Sequence, residues 1–240
     1  MTDKHKKARK FIHDLPNDFE ILEEGIDVQI QEEYIKYSDS FERGELTEDQ
    51  TIFLGNILFD SRAEIEAKKK VLTLLAHLGT ITAFRMIEKY YKNPDDKIKQ
   101  WAALALQECK MFLISELTDQ SAGFISSGLG GLHKRLRYYF FILPLTDRAF
   151  TKLQKDIIQK ELNLVSKELN SIVESVDLSN AFVGIIVLVP LDVAVGTLIE
   201  KGINKCNELG AFVFEQYYVT NQNIPAKAEI KDIIKIVKDE

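Results

Sequence analysis

The 240-residue sequence predicts a mixed protein, α+β or α/β in class, built in two parts. Residues 1–120 read as an all-helical array, and residues 121–240 as a small three-stranded sheet domain with helices. Three observations lead there. From residue 26 to residue 117, apolar residues recur at three- and four-residue spacing, the period of helices with one buried face. From residue 136 onward this pattern is broken by three runs rich in β-branched and aromatic residues, which read as strands. Between the two patterns, Ala122 to Gly131 holds four of the chain's twelve glycines, marking a change of organisation.

Composition excludes several classes. Hydrophobic residues make up 45% of the chain and proline occurs only five times, which fits neither a disordered nor a fibrous protein. Cys109 and Cys206 stand far apart in predicted helices, with neither disulfide-framework nor zinc-ligand spacing, and read as reduced thiols. The four histidines, His5, His13, His77 and His133, make no metal-binding pair, so no metal is expected. No Gly-x-Ser-x-Gly or other nucleophile motif occurs. No catalytic residue is named, no cofactor is expected, and the residues lean away from an enzyme. The basic run Met1–Lys7 is followed by no apolar segment, which argues against a secretory signal and for a cytoplasmic location.

The net charge of −6 is unevenly spread. Residues 1–13 carry +4, residues 14–49 carry −11, and residues 50–240 carry +1. The acidity therefore belongs to one segment. Within it, Ile26, Ile30 and Tyr34 share a face, predicting a helix over residues 25–41 that ends at Arg43-Gly44-Glu45. Thr47 to Gln50 has the spacing of a capping box. Ile52, Phe53, Ile57 and Leu58 follow as an apolar stripe. Helices are then expected over 63–78, stopped by Gly79, over 80–91, and over 97–117 after the break at Pro94-Asp95-Asp96.

The run from His77 to Cys109 resembles a HEAT repeat. Leu78-Gly79 closes one helix, a second follows, and Pro94-Asp95-Asp96 precedes a third that carries Ile98, Lys99, Ala102, Ala103, Leu104 and Leu106. Lys99 stands where the family usually has arginine, and Trp101 is bulkier than usual. The similarity covers residues 63–117. Stacked repeats normally need at least three units, so this segment must lean on the helices before it. The resemblance implies a non-enzymatic adaptor whose helical array binds another macromolecule, most naturally a protein; the acidic segment 14–49 would suit a basic partner.

The second part reads β-α-β-α-β-α: strands over 136–143, 180–189 and 211–219, and helices over 146–176, 192–209 and 226–238. Asp147 and Asp192 read as helix caps. Parallel strands joined by right-handed crossovers are expected, with exposed edges that could pair in a homodimer. Residues 181–199 are apolar, yet Pro190 and Asp192 lie at their middle, so a strand, a turn and a helix explain them better than a membrane span, and an integral membrane protein is not expected. Tyr138 to Phe141 alternate between two faces of their strand. They read as core, although such aromatics also stack bases in single-strand RNA readers, and nucleic acid stays open as a partner.

One motif stands out as an anion site: Ser127, Gly128, Gly130 and Gly131, followed by His133, Lys134, Arg135 and Arg137. Glycines let backbone N–H groups approach an anion, and the bases would balance its charge. The same residues could instead form a hinge or a hairpin turn. This leaves two alternatives to the adaptor: a regulatory domain binding a nucleotide or other anion at 126–137, and a peripheral membrane protein using the basic N-terminus and residues 181–199.

Overall fold

The computed structural model describes residue 16, residues 18–41 and residues 44–239. The basic run 1–13, with His5 and His13, and Arg43 lie outside the described residues. The protein is mixed α and β, with eight α-helices and seven strands among the described residues. It divides into two compact units, one running to Ser126 and the other from Ser127.

The first unit contains β1 (Asp18–Ile21), α1 (Val28–Ser38), α2 (Glu48–Asn56), α3 (Ile65–Leu78), α4 (Ile81–Tyr91), α5 (Lys99–Thr118) and β2 (Ala122–Ile125). Local chemistry sets the helix ends. The Asp27 side chain accepts from the Gln29 N–H, so α1 starts three residues later than the apolar spacing suggests. Thr47 and Gln50 form the expected capping box of α2. Gly79 ends α3 at φ 60°, a left-handed conformation that glycine adopts without steric cost. One core gathers Ile26, Tyr34, Leu58, Leu72, Leu75, Ile87, Trp101 and Leu104. The parallel pair of β1 and β2 was not expected. Four-residue strands carry too little alternation to be told from loop, and these two meet across a hundred residues of chain.

The second unit contains β3 (Gly131–Leu132), β4 (Arg135–Pro144), α6 (Lys152–Glu168), β5 (Ile172–Asp177), β6 (Val183–Pro190), α7 (Val195–Glu208), β7 (Val213–Thr220) and α8 (Lys227–Asp239). The expected three parallel strands are corrected to a five-stranded sheet in which every pairing is antiparallel. The four long strands run β7-β4-β6-β5. Thus α6 joins β4 to β5, and β6 folds back between them as a hairpin partner of β5. This β-α-β-β-α-β order is the ferredoxin-like split arrangement.

The helix expected over 146–176 is corrected in the same way. It begins at a capping box formed by Thr151 and Gln154 and ends at Glu168. Asn170, at φ 50°, then turns the chain into β5. Neither aspartate is a cap. The Asp147 carboxylate accepts from Lys238 at 2.8 Å, and α7 starts beyond Asp192, after Ala194, with no side-chain cap.

Alternation along the strands gives the sheet two buried faces. Phe140, Ile142, Val183, Ile185, Val187 and Val189 pack against Ile158, Leu162, Leu198 and Ile203 of α6 and α7. Tyr139, Phe141, Leu143 and Phe182 face the other way and meet Ile230 and Val237 of α8. Residues 181–199 form β6, a turn and the start of α7. No described helix is long and apolar enough to cross a membrane.

Candidate functional site

The glycine-rich motif is a β-hairpin. His133 and Lys134, at φ 49° and 59°, form the two-residue turn between β3 and β4; positive φ at both positions is the signature of a type I′ turn. Both side chains are exposed at its tip. Ser127 Oγ donates to the Gly130 carbonyl at 3.1 Å, and the Leu129 N–H donates to the Asn221 carbonyl at 2.9 Å. Gly128 is required by close approach: a Cβ there would lie 1.8 Å from the Gln222 carbonyl oxygen. The loop 127–130 is thus packed backbone against backbone on the turn after β7. Gly131 opens β3 and is itself buried.

The two arginines hold loops. Arg135 donates to the Asn170 backbone carbonyl and to its side-chain oxygen, both at 2.7 Å. Arg137 forks onto the Glu174 carboxylate and also donates to the Leu129 carbonyl at 2.7 Å. The hairpin, the turn before β5 and β5 itself are tied together by these contacts. The structure therefore gathers the motif's residues around one hairpin, with its arginines directed at protein acceptors.

A different part of the same unit forms a groove of about 580 Å³, on the sheet face that carries α8. The β5–β6 half of that face is left open. Its floor is Tyr139 of β4, Phe182, and Gly184 and Ile186 of β6. Register explains the rest. Ser175 pairs with Ile186 and Asp177 with Gly184, so both polar side chains of β5 point to the face of their partners. Ser175, Asp177 and Ser179 form one wall. Lys227 and Lys231, one helical turn apart on α8, form the other. Neither lysine makes an ion pair among the described residues, whereas their helix neighbours Lys235 and Lys238 are paired with Asp232 and Asp147.

Gly184 keeps the floor low. A Cβ there would come within 3.0 Å of the Tyr139 hydroxyl and 3.3 Å of the Phe182 ring. Burial, with the Asp177 carboxylate and Tyr218 beside it, pushes the Tyr139 hydroxyl up to about 12. It is a neutral donor at neutral pH and makes no hydrogen bond to another described residue. Among the described residues no cluster of metal-ligating side chains occurs. The groove can thus offer a flat apolar floor, two cations on one side, and a carboxylate with hydroxyls on the other.

Sequence reasoning did not identify this groove. Ser175 falls inside the over-long helix and Asp177 just beyond its end, and Lys227 and Lys231 look like an ordinary solvated helix face. A signal is present in Asn170, a residue type that takes the left-handed turn at a helix end; Val173 and Val176, three residues apart, show no strand alternation because the register shifts between Val173 and Ser175.

No family model matches the chain, and no curated protein does. Among solved structures, it is similar to an inferred transposase from Deinococcus radiodurans R1, with TM-score 0.35 and 10% identity over 45% of this chain and 93% of that one. It is also similar to a REP-associated tyrosine transposase bound to a REP hairpin, with TM-score 0.33 and 7% identity over 44% of this chain and 66% of that one. The expected protein-binding adaptor, with its HEAT-like adaptor description, is corrected by this finding: these structural neighbours are transposases, and a protein partner has no support. The alternatives placed beside the adaptor, an anion-regulated domain at 126–137 and a peripheral membrane protein, are set aside with it.

Proposed function

We propose that the second unit binds single-stranded nucleic acid, with one unpaired nucleotide seated in the groove between β5, β6 and α8. The observation that carries this reading is the pair of ammonium groups, Lys227 and Lys231, which make no ion pair among the described residues and stand beside an apolar and aromatic floor. A nucleotide has matching parts. Its base has an apolar face for the floor at Tyr139, Gly184 and Ile186. Its polar edge can donate to Asp177 and accept from the Tyr139 hydroxyl. Its phosphates suit the lysines. A base can reach such a floor only when it is unstacked, which favours single strands over duplex. Residues 127–240 hold fourteen bases and fourteen acids, so attraction must come from these local charges and not from a general basic field.

The test is fluorescence anisotropy of the full chain with labelled single-stranded DNA and RNA of about a dozen nucleotides, and with the matching duplexes. Single strands are expected to bind more tightly than duplex. The double substitution Lys227→Ala and Lys231→Ala is expected to weaken binding about tenfold or more and to lower the salt slope by about 1.4, the value for two lost single-strand phosphate contacts. Equal binding by the double variant, or no binding of single strands by the native protein, overturns the reading.

A further inference from the structure

The first unit holds a second, independent cavity. It encloses about 330 Å³, the lower end of the range for small-molecule sites, between α1, α5 and β2. Ile35, Leu104, Phe124 and Ile125 supply apolar walls, and Asp39 and Glu108 supply two carboxylates. No lysine or arginine is among its lining residues. Ser126 also lines it, and its hydroxyl is buried with no hydrogen-bond partner among the described residues.

Glu108 is the chemical centre of this cavity. Its side chain is only 12% exposed. Tyr34 donates to its Oε2 at 2.7 Å, and Ser38 donates to its Oε1 at 2.8 Å. Burial, and then the charge and hydrogen bond of Glu108, hold the Tyr34 hydroxyl well above its ordinary range, so it remains a neutral donor. The nearest basic nitrogen, His77 Nε2, is 3.7 Å from Oε2 and lies 2.7 Å from Ser38 Oγ. Ser38 has one proton and gives it to Glu108, so it accepts from His77. A serine nucleophile would need the opposite arrangement, so these three residues are not assembled for nucleophilic catalysis. Two neutral hydroxyls use about half of the carboxylate's acceptor sites and cancel none of its charge. A buried carboxylate in this condition gains most from a cation that can donate to it.

We infer that this cavity is a binding site for a small organic amine: a primary ammonium on a compact apolar body, the ammonium held by Glu108 with Asp39 nearby, the body against Leu104, Phe124 and Ile125. The site is separate from the proposed nucleic-acid groove, and its test does not depend on that groove.

Isothermal titration of the full chain with benzylamine, benzyl alcohol and benzoate separates charge from shape. Benzylamine is expected to bind saturably, benzyl alcohol about tenfold more weakly, as loss of a charge-assisted hydrogen bond requires, and benzoate more weakly still. Glu108→Gln keeps the side chain's size and is expected to reduce benzylamine affinity to that of the alcohol, with Trp101 fluorescence reporting that the unit stays folded. Asp39→Asn, at the exposed end of α1, is expected to weaken benzylamine about threefold as a more distant charge is lost, and decides the matter where Glu108→Gln perturbs folding. The proposal is overturned where benzylamine binds no more tightly than benzyl alcohol, or where Asp39→Asn and a folded Glu108→Gln both leave its affinity unchanged.

Discussion

The two units solve the same packing problem in different ways. The helical unit closes one core and ties it with buried polar groups. Lys68, 4% exposed, donates to Asp95 at 2.7 Å, and the Tyr90 hydroxyl donates to the same oxygen at 2.6 Å. Tyr34, Ser38, His77 and Glu108 make a second such cluster. The sheet unit has no comparable cluster among the described residues. Strand alternation sorts its side chains into two apolar layers and moves polar groups to the rims, where Arg135 and Arg137 tie the loops. Helices that pack around one centre leave room for polar networks at their crossings. A sheet covered on one face and on half of the other leaves polar groups only its edges and the open half, and the groove occupies that half.

The largest expected difference between the units is in their cores. Phe140 is fully buried at the centre of the sheet, and Phe140→Ala should cost about 3–5 kcal/mol, read as faster hydrogen exchange of the β4 and β6 amides. Leu75→Ala, the matching deletion in the helical core, should cost about 2–5 kcal/mol, read in urea unfolding followed by Trp101, the chain's one tryptophan. If the helical unit owed its stability mainly to its polar clusters, Leu75→Ala would fall well short of that range.

The capping boxes offer a matched comparison of smaller size. Thr47→Ala in the helical unit and Thr151→Ala in the sheet unit each remove one cap and should each cost about 1 kcal/mol. Unequal losses would show that one helix start is held by packing instead.

The smallest effect is in acid. The Lys68 ammonium, and then the Tyr90 hydroxyl, hold the Asp95 carboxyl below its ordinary range. A depressed carboxyl contributes stability above its unfolded value and loses it as pH falls through the folded one. The helical unit should therefore weaken below about pH 4 in a Trp101-monitored titration, and Asp95→Asn should flatten that response. In the sheet unit the depressed carboxyls, Asp147 and Glu168, are exposed partners of Lys238 and Lys201, so added salt should diminish their part.

Much of the fold was legible because its signals are local. Thr47 and Gln50 mark a helix start, Gly79 marks a stop, and Leu136 to Pro144 can hardly be anything but a buried strand. What was missed depends on partners distant in sequence. Asp18–Ile21 becomes a strand only through Ala122–Ile125. Ile172 to Val176 reads as the end of a helix because Leu169, Ile172 and Val176 also fit a helical face. The glycine-rich motif was found, yet its role rests on neighbours that spacing does not reveal: Gln222 behind Gly128, Asn170 before Arg135 and Glu174 before Arg137. The groove was invisible because its residues come from three strands, two loops and a helix.

The sequence by itself determined the main helices of the first part, the main strands of the second and the concentration of acidity in residues 14–49. These follow from side-chain period, caps and charge, which act within a few residues. Only the tertiary structure decided the antiparallel order β7-β4-β6-β5, the two faces of the sheet, the burial of Glu108 and the placement of Lys227 and Lys231 across a groove from Asp177. Strand order and cavities are set by which surfaces meet. Closing long loops is repaid by contacts between residues far apart in the chain, and no local pattern records them.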